Sequence, residues 1–228
     1  MTKPLFISTT FLKNGRPLSE ALDICRDLDI QGIELGSNHC FEQDYSYIKK
    51  FTLRLLTHNY FPIPENDFVV NIASNNDEIR NKSLRHAKDA IYFSNKYGSE
   101  IYTVHPGFIT DPSGQKISRS NYDFNFESVD QSQEAHMQAT KHMLTSLEIL
   151  VDHAQRQGVK LAIETEGSIN HHNQLIMQKP EEYVSLFERF SPDDLGVNLN
   201  IGHLILAAKH FEFDPFDFSS FVQPYVVA

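Results

Sequence analysis

Short apolar runs that end on a histidine, an acid or an amide alternate with longer helix-like stretches along all 228 residues, and few folds satisfy that alternation. The first run is Leu5–Phe11, and a helix is expected from Ser19, a suitable N-cap, through Leu28. Gly32–Gly36 and Leu53–Asn59 read as strands two and three, the latter followed by the apolar run Asp67–Ala73. Ser74–Glu78 offers caps for a long helix to Tyr97, closed by Gly98. Strand four is Glu100–Val104, after which the polar segment Thr110–Asp130, with Pro112 and Gly114, reads as a long loop over a site. A helix over Gln131–Gln157 ends at Gly158. Strand five (Lys160–Glu164), a helix (Pro180–Phe190), strand six (Leu195–Asn200) and a helix from about His203 follow, and Tyr225–Ala228 reads as the opening of strand seven.

Strands separated by helices imply a parallel sheet with right-handed crossovers, either an open doubly wound sheet or a closed barrel. No GxGxxG follows the first strand and no GxxxxGK[ST] occurs, so the phosphate-cradling signatures of the open sheet are missing. Polar residues instead stand at the C-terminal ends of the strands, where barrel enzymes place their chemistry. The expectation is therefore an α/β fold, a (β/α)8 TIM barrel forming a single domain over 1–228, with about seven strands present and incomplete at the C-terminus. Open edges at strands one and seven invite pairing with another chain, which predicts a homo-oligomer or poor solubility.

Composition sets the partners. Hydrophobic residues make up 40%, enough for a sizeable core. No run approaches the roughly 20 apolar residues of a membrane span. The N-terminus runs into a strand without the apolar core and cleavage site of a signal peptide. Cys25 and Cys40 make neither a disulfide framework nor a CxxC motif, so a reducing cytoplasm is expected. A formal charge of −10 repels phosphate backbones and disfavours a nucleic-acid partner.

The strand ends present Glu34, His58, His105, Glu164, and then Asn200 with His203. In a closed barrel these side chains converge on one axis, and imidazole together with carboxylate suits a divalent metal such as Zn, Mn or Mg. Glu166 shares a face with Glu164 and rivals it; Glu164 is preferred because it ends the apolar run Leu161–Ile163. Glu34 reads as a contact to substrate or to a ligand side chain, or as a satisfied strand-end acid. His171 and His172 read as a solvated loop, and His86, His136, His142 and His153 as surface or helix-face residues. The run Phe211, Phe213, Phe216, Phe218, Phe221 reads as core packing or lid anchoring.

Thr57–Tyr60, Val70–Ser74, Val104–Gly107, Ile163–Gly167 and Pro192–His203 together resemble, in order and spacing, the endonuclease IV and xylose-isomerase-like TIM-barrel superfamily, which includes sugar phosphate isomerases and epimerases. The likeness runs from Leu53 to Ala208. By position it implies metal-ligand roles for His58, His105, Glu164 and His203, and a proton-transfer role for Glu164; from their strand-end places His58, His105, Glu166 and Glu34 are also expected to face substrate. The strand-six motif of the family is Asp-x-x-His; here it is Asn200-Ile201-Gly202-His203, where an amide oxygen replaces the charged ligand. The family's strand-eight glutamate would lie beyond Ala228. The resemblance implies an isomerase or epimerase that moves a proton on a sugar or polyol with a divalent metal. The alternatives are a metal-dependent apurinic/apyrimidinic endonuclease, and a non-catalytic barrel that binds a sugar or a partner.

Overall fold

A computed structural model describes residues 5–119, 121–124, 132–168 and 174–228. His171 and His172 therefore lie outside the described residues, as do parts of the polar segment Thr110–Asp130. Six parallel strands form one sheet: β1 (Ile7–Ser8), β2 (Gly32–Leu35), β3 (Arg54–His58), β4 (Ser99–Val104), then β7 (Lys160–Glu164) and β8 (Leu195–Asn198). Between β4 and β7 the chain makes an antiparallel hairpin of β5 (Ser113–Ser118) and β6 (Asn121–Asp123), where the sequence suggested only a loop. The helices are α1 (Leu18–Asp27), α2 (Asp77–Tyr97), α3 (Gln133–Gln157), α4 (Pro180–Arg189), α5 (Ile201–Phe211) and α6 (Pro215–Val222). Strand-helix alternation thus holds, with spatial order following chain order around the sheet. A seventh rung begins at the end: Val226 bridges Val197 in parallel, and Leu199 N donates to the Ala228 carbonyl at 2.9 Å. Among the described residues no pairing joins this rung to β1, so the sheet is an open barrel.

Strand alternation divides the residues between two faces. Ile33, Leu35, Leu55, Tyr102, Val104, Leu161, Ile163, Leu195 and Val197 turn outward under the helices and are 3% exposed or less. They meet Leu22, Ile91, Leu147 and Leu150 from α1, α2 and α3. Each such side chain contributes about 1.5–3 kcal/mol by leaving water. The opposite face carries Glu34, Leu56, His58, Thr103, Glu164 and Asn198, and that face holds the chemistry.

Local signals explain most helix ends. The Asn76 side chain accepts from the amides of Glu78 and Ile79 to start α2, and Gly98 closes it at φ 75°. Ser132 caps α3 and Gly158 ends it in the same left-handed conformation. Helix α1 begins one residue before the expected Ser19 cap, because the Leu18 amide is satisfied from outside by Glu42 Oε1 at 2.8 Å. Strand β1 stops early because Thr9 turns inward, where its Oγ1 accepts the Gly36 amide at 2.9 Å and pairs with His39 Nε2 at 2.8 Å. The apolar run Asp67–Ala73 is not a strand. Asn71, fully buried, pins it to the loop after β4: its Oδ1 accepts from Ala73 N and Phe108 N, and its Nδ2 donates to Asp111 Oδ1 at 2.8 Å. Of the phenylalanine run, Phe218 is buried and Phe213 lies against the core, while Phe216 and Phe221 are exposed. Among the described residues no helix is long and apolar enough to cross a membrane.

Candidate metal centre

Strands β3, β4 and β7 are neighbours, and each ends with its last inward residue at the same rim. His58 ends β3 beside Thr103, His105 follows β4, and Glu164 ends β7 beside Asn198. As a result His58 Nε2 lies 2.8 Å from Glu164 Oε2, His105 Nε2 lies 3.3 Å from His58 Nε2, and His105 Nε2 lies 3.8 Å from Glu164 Oε2. These atoms, with ligand-capable positions all within 4.8 Å of one another, form a group able to hold a metal ion.

These donor atoms suit a cation. His58 Nε2 can carry one hydrogen, and that hydrogen is directed at Glu164. With His105 Nδ1 turned to Glu166, a lone pair on its Nε2 can face the His58 Nε2–H at 3.3 Å, while Glu164 Oε2, at 3.8 Å, is beyond hydrogen-bond range. A cation at the shared point would accept a lone pair from all three. Ligands at about 2.0–2.1 Å from a tetrahedral ion stand roughly 3.3–3.4 Å apart, within the spread of the three separations seen. Two imidazoles and a carboxylate suit Zn, Mn or Fe better than Mg, which prefers oxygen and water.

The surroundings reinforce the set. His105 Nδ1 is hydrogen-bonded to Glu166 Oε1, which leaves Nε2 for the shared point, as a carboxylate behind a metal-bound histidine does. Burial disfavours the charged form of His105, but Glu166 beside it, with Glu164 and Glu34 further off, outweighs burial and pushes its pKa up to about 9. Burial likewise opposes the charge of Glu164, which is 3% exposed; the His58 bond, the His105 charge and the Asn200 amide prevail and hold it down at about 2. A metal must displace the His105 proton. Its apparent affinity should therefore climb about tenfold per pH unit from pH 6 to 8, a slope that titrations with Zn²⁺ at several pH values would measure.

The other residues expected at the site fall outside this three-membered group. Asn200 caps α5: its Oδ1 accepts the His203 amide at 3.1 Å, and its Nδ2 donates to Glu164 Oε1 at 2.9 Å. Both ends of the amide are thereby engaged. Asn198 donates to the other carboxylate oxygen at 3.2 Å, so Glu164 receives hydrogen bonds on both oxygens. His203 Nδ1 faces the Thr165 carbonyl at 2.9 Å, which places the proton on that nitrogen and leaves the Nε2 lone pair on a residue lining the cavity. Glu34 stands on the inward face of β2 and acts on His105 through space.

Gly167 allows α5 to come this close. A Cβ there would stand 1.9 Å from the His203 carbonyl oxygen and 3.0 Å from Ala207 N, both backbone atoms. Gly167→Ala should push the start of α5, with Asn200 and His203, away from Glu164 and cost at least about 2 kcal/mol in denaturant unfolding.

The cluster opens into a cavity of about 360 Å³ lined by His58, Tyr60, His105, Phe108, Glu166 and His203 among others. Arg119, from the hairpin turn, also lines it, and sequence reasoning did not single it out. His86 is a second miss: it is 7% exposed rather than on a helix surface, lying against the rings of Tyr60 and Phe68, with its Nε2 unpartnered among the described residues.

Comparison with known proteins gives consistent results. The model of a family described as xylose isomerase-like TIM barrel matches residues 19–226. An uncharacterised protein of Methanocaldococcus jannaschii is 22% identical over 178 residues, 78% of this chain; the chain spans about half that relative's length, 53%. A D-tagatose 3-epimerase-like protein superposes with a TM-score of 0.69 at 17% identity, over 98% of this chain and 73% of that one. An L-ribulose 3-epimerase gives 0.60 at 12% identity over 90% and 62%. A Thermus thermophilus protein soaked with zinc chloride gives 0.55 at 17% identity over 88% and 66%. At these identities the structures establish the fold alone.

Proposed function

Because the chain belongs to the xylose isomerase-like TIM barrel family, we propose that it is a metal-dependent isomerase or epimerase acting on a small sugar or polyol. The observation that carries this is the convergence of His58 Nε2, His105 Nε2 and Glu164 Oε2 on one point, with a second buried carboxylate, Glu166, beside it. The cavity above lies in the roughly 300–1,000 Å³ range of small-molecule sites. Structural neighbours named as sugar epimerases support the substrate class.

His58, His105 and Glu164 would hold the ion. Once bound, a divalent ion supplies Lewis acidity, which makes the hydrogen beside a sugar carbonyl easier to remove. Glu164 is suited to holding charge rather than moving protons, since a carboxylate at about 2 is a weak base. The proton role that the family resemblance gave to Glu164 therefore passes, in this proposal, to Glu166. It lines the cavity, one of its oxygens is fixed by His105, and among the described residues the other has the His203 ring near it at 3.6 Å, beyond hydrogen-bond range. His203 Nε2 is placed to orient a hydroxyl.

The two amide donors on Glu164 also favour a second reading, a barrel that binds sugar without turnover, because they satisfy the carboxylate without any metal. Proton exchange separates the two. Metal-loaded protein incubated with ketoses in D2O should place deuterium on the carbon beside the carbonyl, followed by NMR, and Glu166→Gln should abolish the exchange. Full metal binding with no exchange on any ketose would favour the binding-only barrel.

A further inference from the structure

We propose that Arg119 makes this cavity selective for an anionic sugar, one bearing a phosphate or a carboxylate; the inference rests on the reading of the cavity as a sugar site. Arg119 is the single lysine or arginine among the cavity's described lining residues, in a chain of net charge −10. It arrives from the turn between β5 and β6, so the hairpin folds over the site and delivers one positive charge to it.

The guanidinium is held in place and only partly satisfied. Its Nη2 donates to the His39 carbonyl at 2.7 Å, and its Cζ lies over the Tyr60 ring, 5.3 Å from the centroid. Tyr60 is itself fixed, donating to Asp67 Oδ1 at 2.5 Å and accepting the Phe68 amide at 2.6 Å. Asp67 answers part of the Arg119 charge from 3.7 Å, beyond hydrogen-bond range of Nη1. The side chain is 18% exposed, and among the described residues its hydrogen bonding to protein uses Nη2 alone. N–H groups therefore remain for a ligand, and a planar fork of donors matches a phosphate or carboxylate.

Its setting explains why a charge is needed. In the metal-loaded site the charge of the ion would be offset by Glu164 and Glu166, which leaves Arg119 as the cationic side chain that favours an anionic ligand. A neutral sugar draws little from a guanidinium. Merely latching the hairpin down would need only the His39 bond, and the test separates that role from recognition.

Binding of D-fructose, D-fructose 6-phosphate and D-fructuronate to the metal-loaded protein should be measured by calorimetry, for the native chain, Arg119→Gln and Arg119→Lys. The native chain should bind at least one of the two anions about tenfold or more tighter than fructose, and the stronger of the two identifies the group. Arg119→Gln should weaken that anion about 10- to 100-fold and leave fructose within about threefold, with Arg119→Lys between them. Equal binding of fructose and both anions by the native chain, no binding of any of them, or a parallel loss of all ligands in Arg119→Gln would overturn the proposal. Metal titration of the same samples reports on the parent reading: normal metal binding without anion preference removes Arg119's role alone, whereas absent metal binding removes the metal-dependent sugar site as well.

Discussion

Replacing Glu164 by glutamine should leave a folded protein that binds zinc or manganese at least about 100-fold more weakly and is about 2 kcal/mol less stable without metal. The first effect follows from losing the one anionic donor of the three; the two imidazoles that remain carry no charge to offset the ion's own. The second follows from hydrogen-bond polarity. Glu164 accepts on both oxygens, from His58 and Asn198 on one and from Asn200 on the other. A glutamine must set its NH2 against at least one of these donors, and a buried donor facing a donor costs about 1–3 kcal/mol. His105 also loses part of the charge that supports its proton. Calorimetry for the metal and denaturant unfolding of the metal-free protein read the two effects separately. Unchanged metal affinity would remove Glu164 from the ligand set.

Acidification should destabilise the fold through His86, by about 3 kcal/mol between pH 6.5 and 4. Burial against Tyr60 and Phe68 lowers its pKa to about 4, against 6.5 for the free side chain. Between those values the unfolded chain binds a proton that the folded chain refuses. The unfolded state binding more protons means that stability rises with pH, so it is lost as pH falls through that window. His86→Gln should flatten this part of the profile. The His86 ring is hydrogen-bonded to the Asn59 backbone, and removing it leaves no carbonyl stranded, because the Asn59 oxygen still accepts the Tyr102 hydroxyl at 2.8 Å. Guanidinium unfolding of both proteins at pH 7 and pH 4.5 provides the comparison; equal losses in the two would clear His86 of the effect.

How much could be read from the sequence depended on whether a residue sat in a regular element. His58, His105 and Glu164 were legible because each closes an apolar run, and a sheet with strands in chain order brings such ends to one rim. The same period put Glu166 on the face of Glu164, as found. In the sequence Asn200 reads only as a weakened ligand; an amide three residues before a helical histidine can also cap the helix, and its Oδ1 accepts the His203 amide here. His86 could have been found, since Ser83, Ala87 and Ala90 mark the buried stripe of α2 that it shares. Arg119 could not. It enters from a polar insertion with no periodicity, and its place over Tyr60 depends on how a hairpin folds back across the barrel mouth. The early end of β1 was equally hidden, because the hydrogen bonds that divert Thr9 come from Gly36 and His39, far along the chain.

The most direct measurement is a titration of metal-stripped protein with Zn²⁺, run alongside a crystal structure of the loaded form. The expected result is one ion per chain within about 2.0–2.2 Å of His58 Nε2, His105 Nε2 and a Glu164 oxygen, with binding lost in the His58→Ala, His105→Ala double variant. No stoichiometric binding, or an ion held elsewhere while those three side chains keep their present contacts, would contradict it.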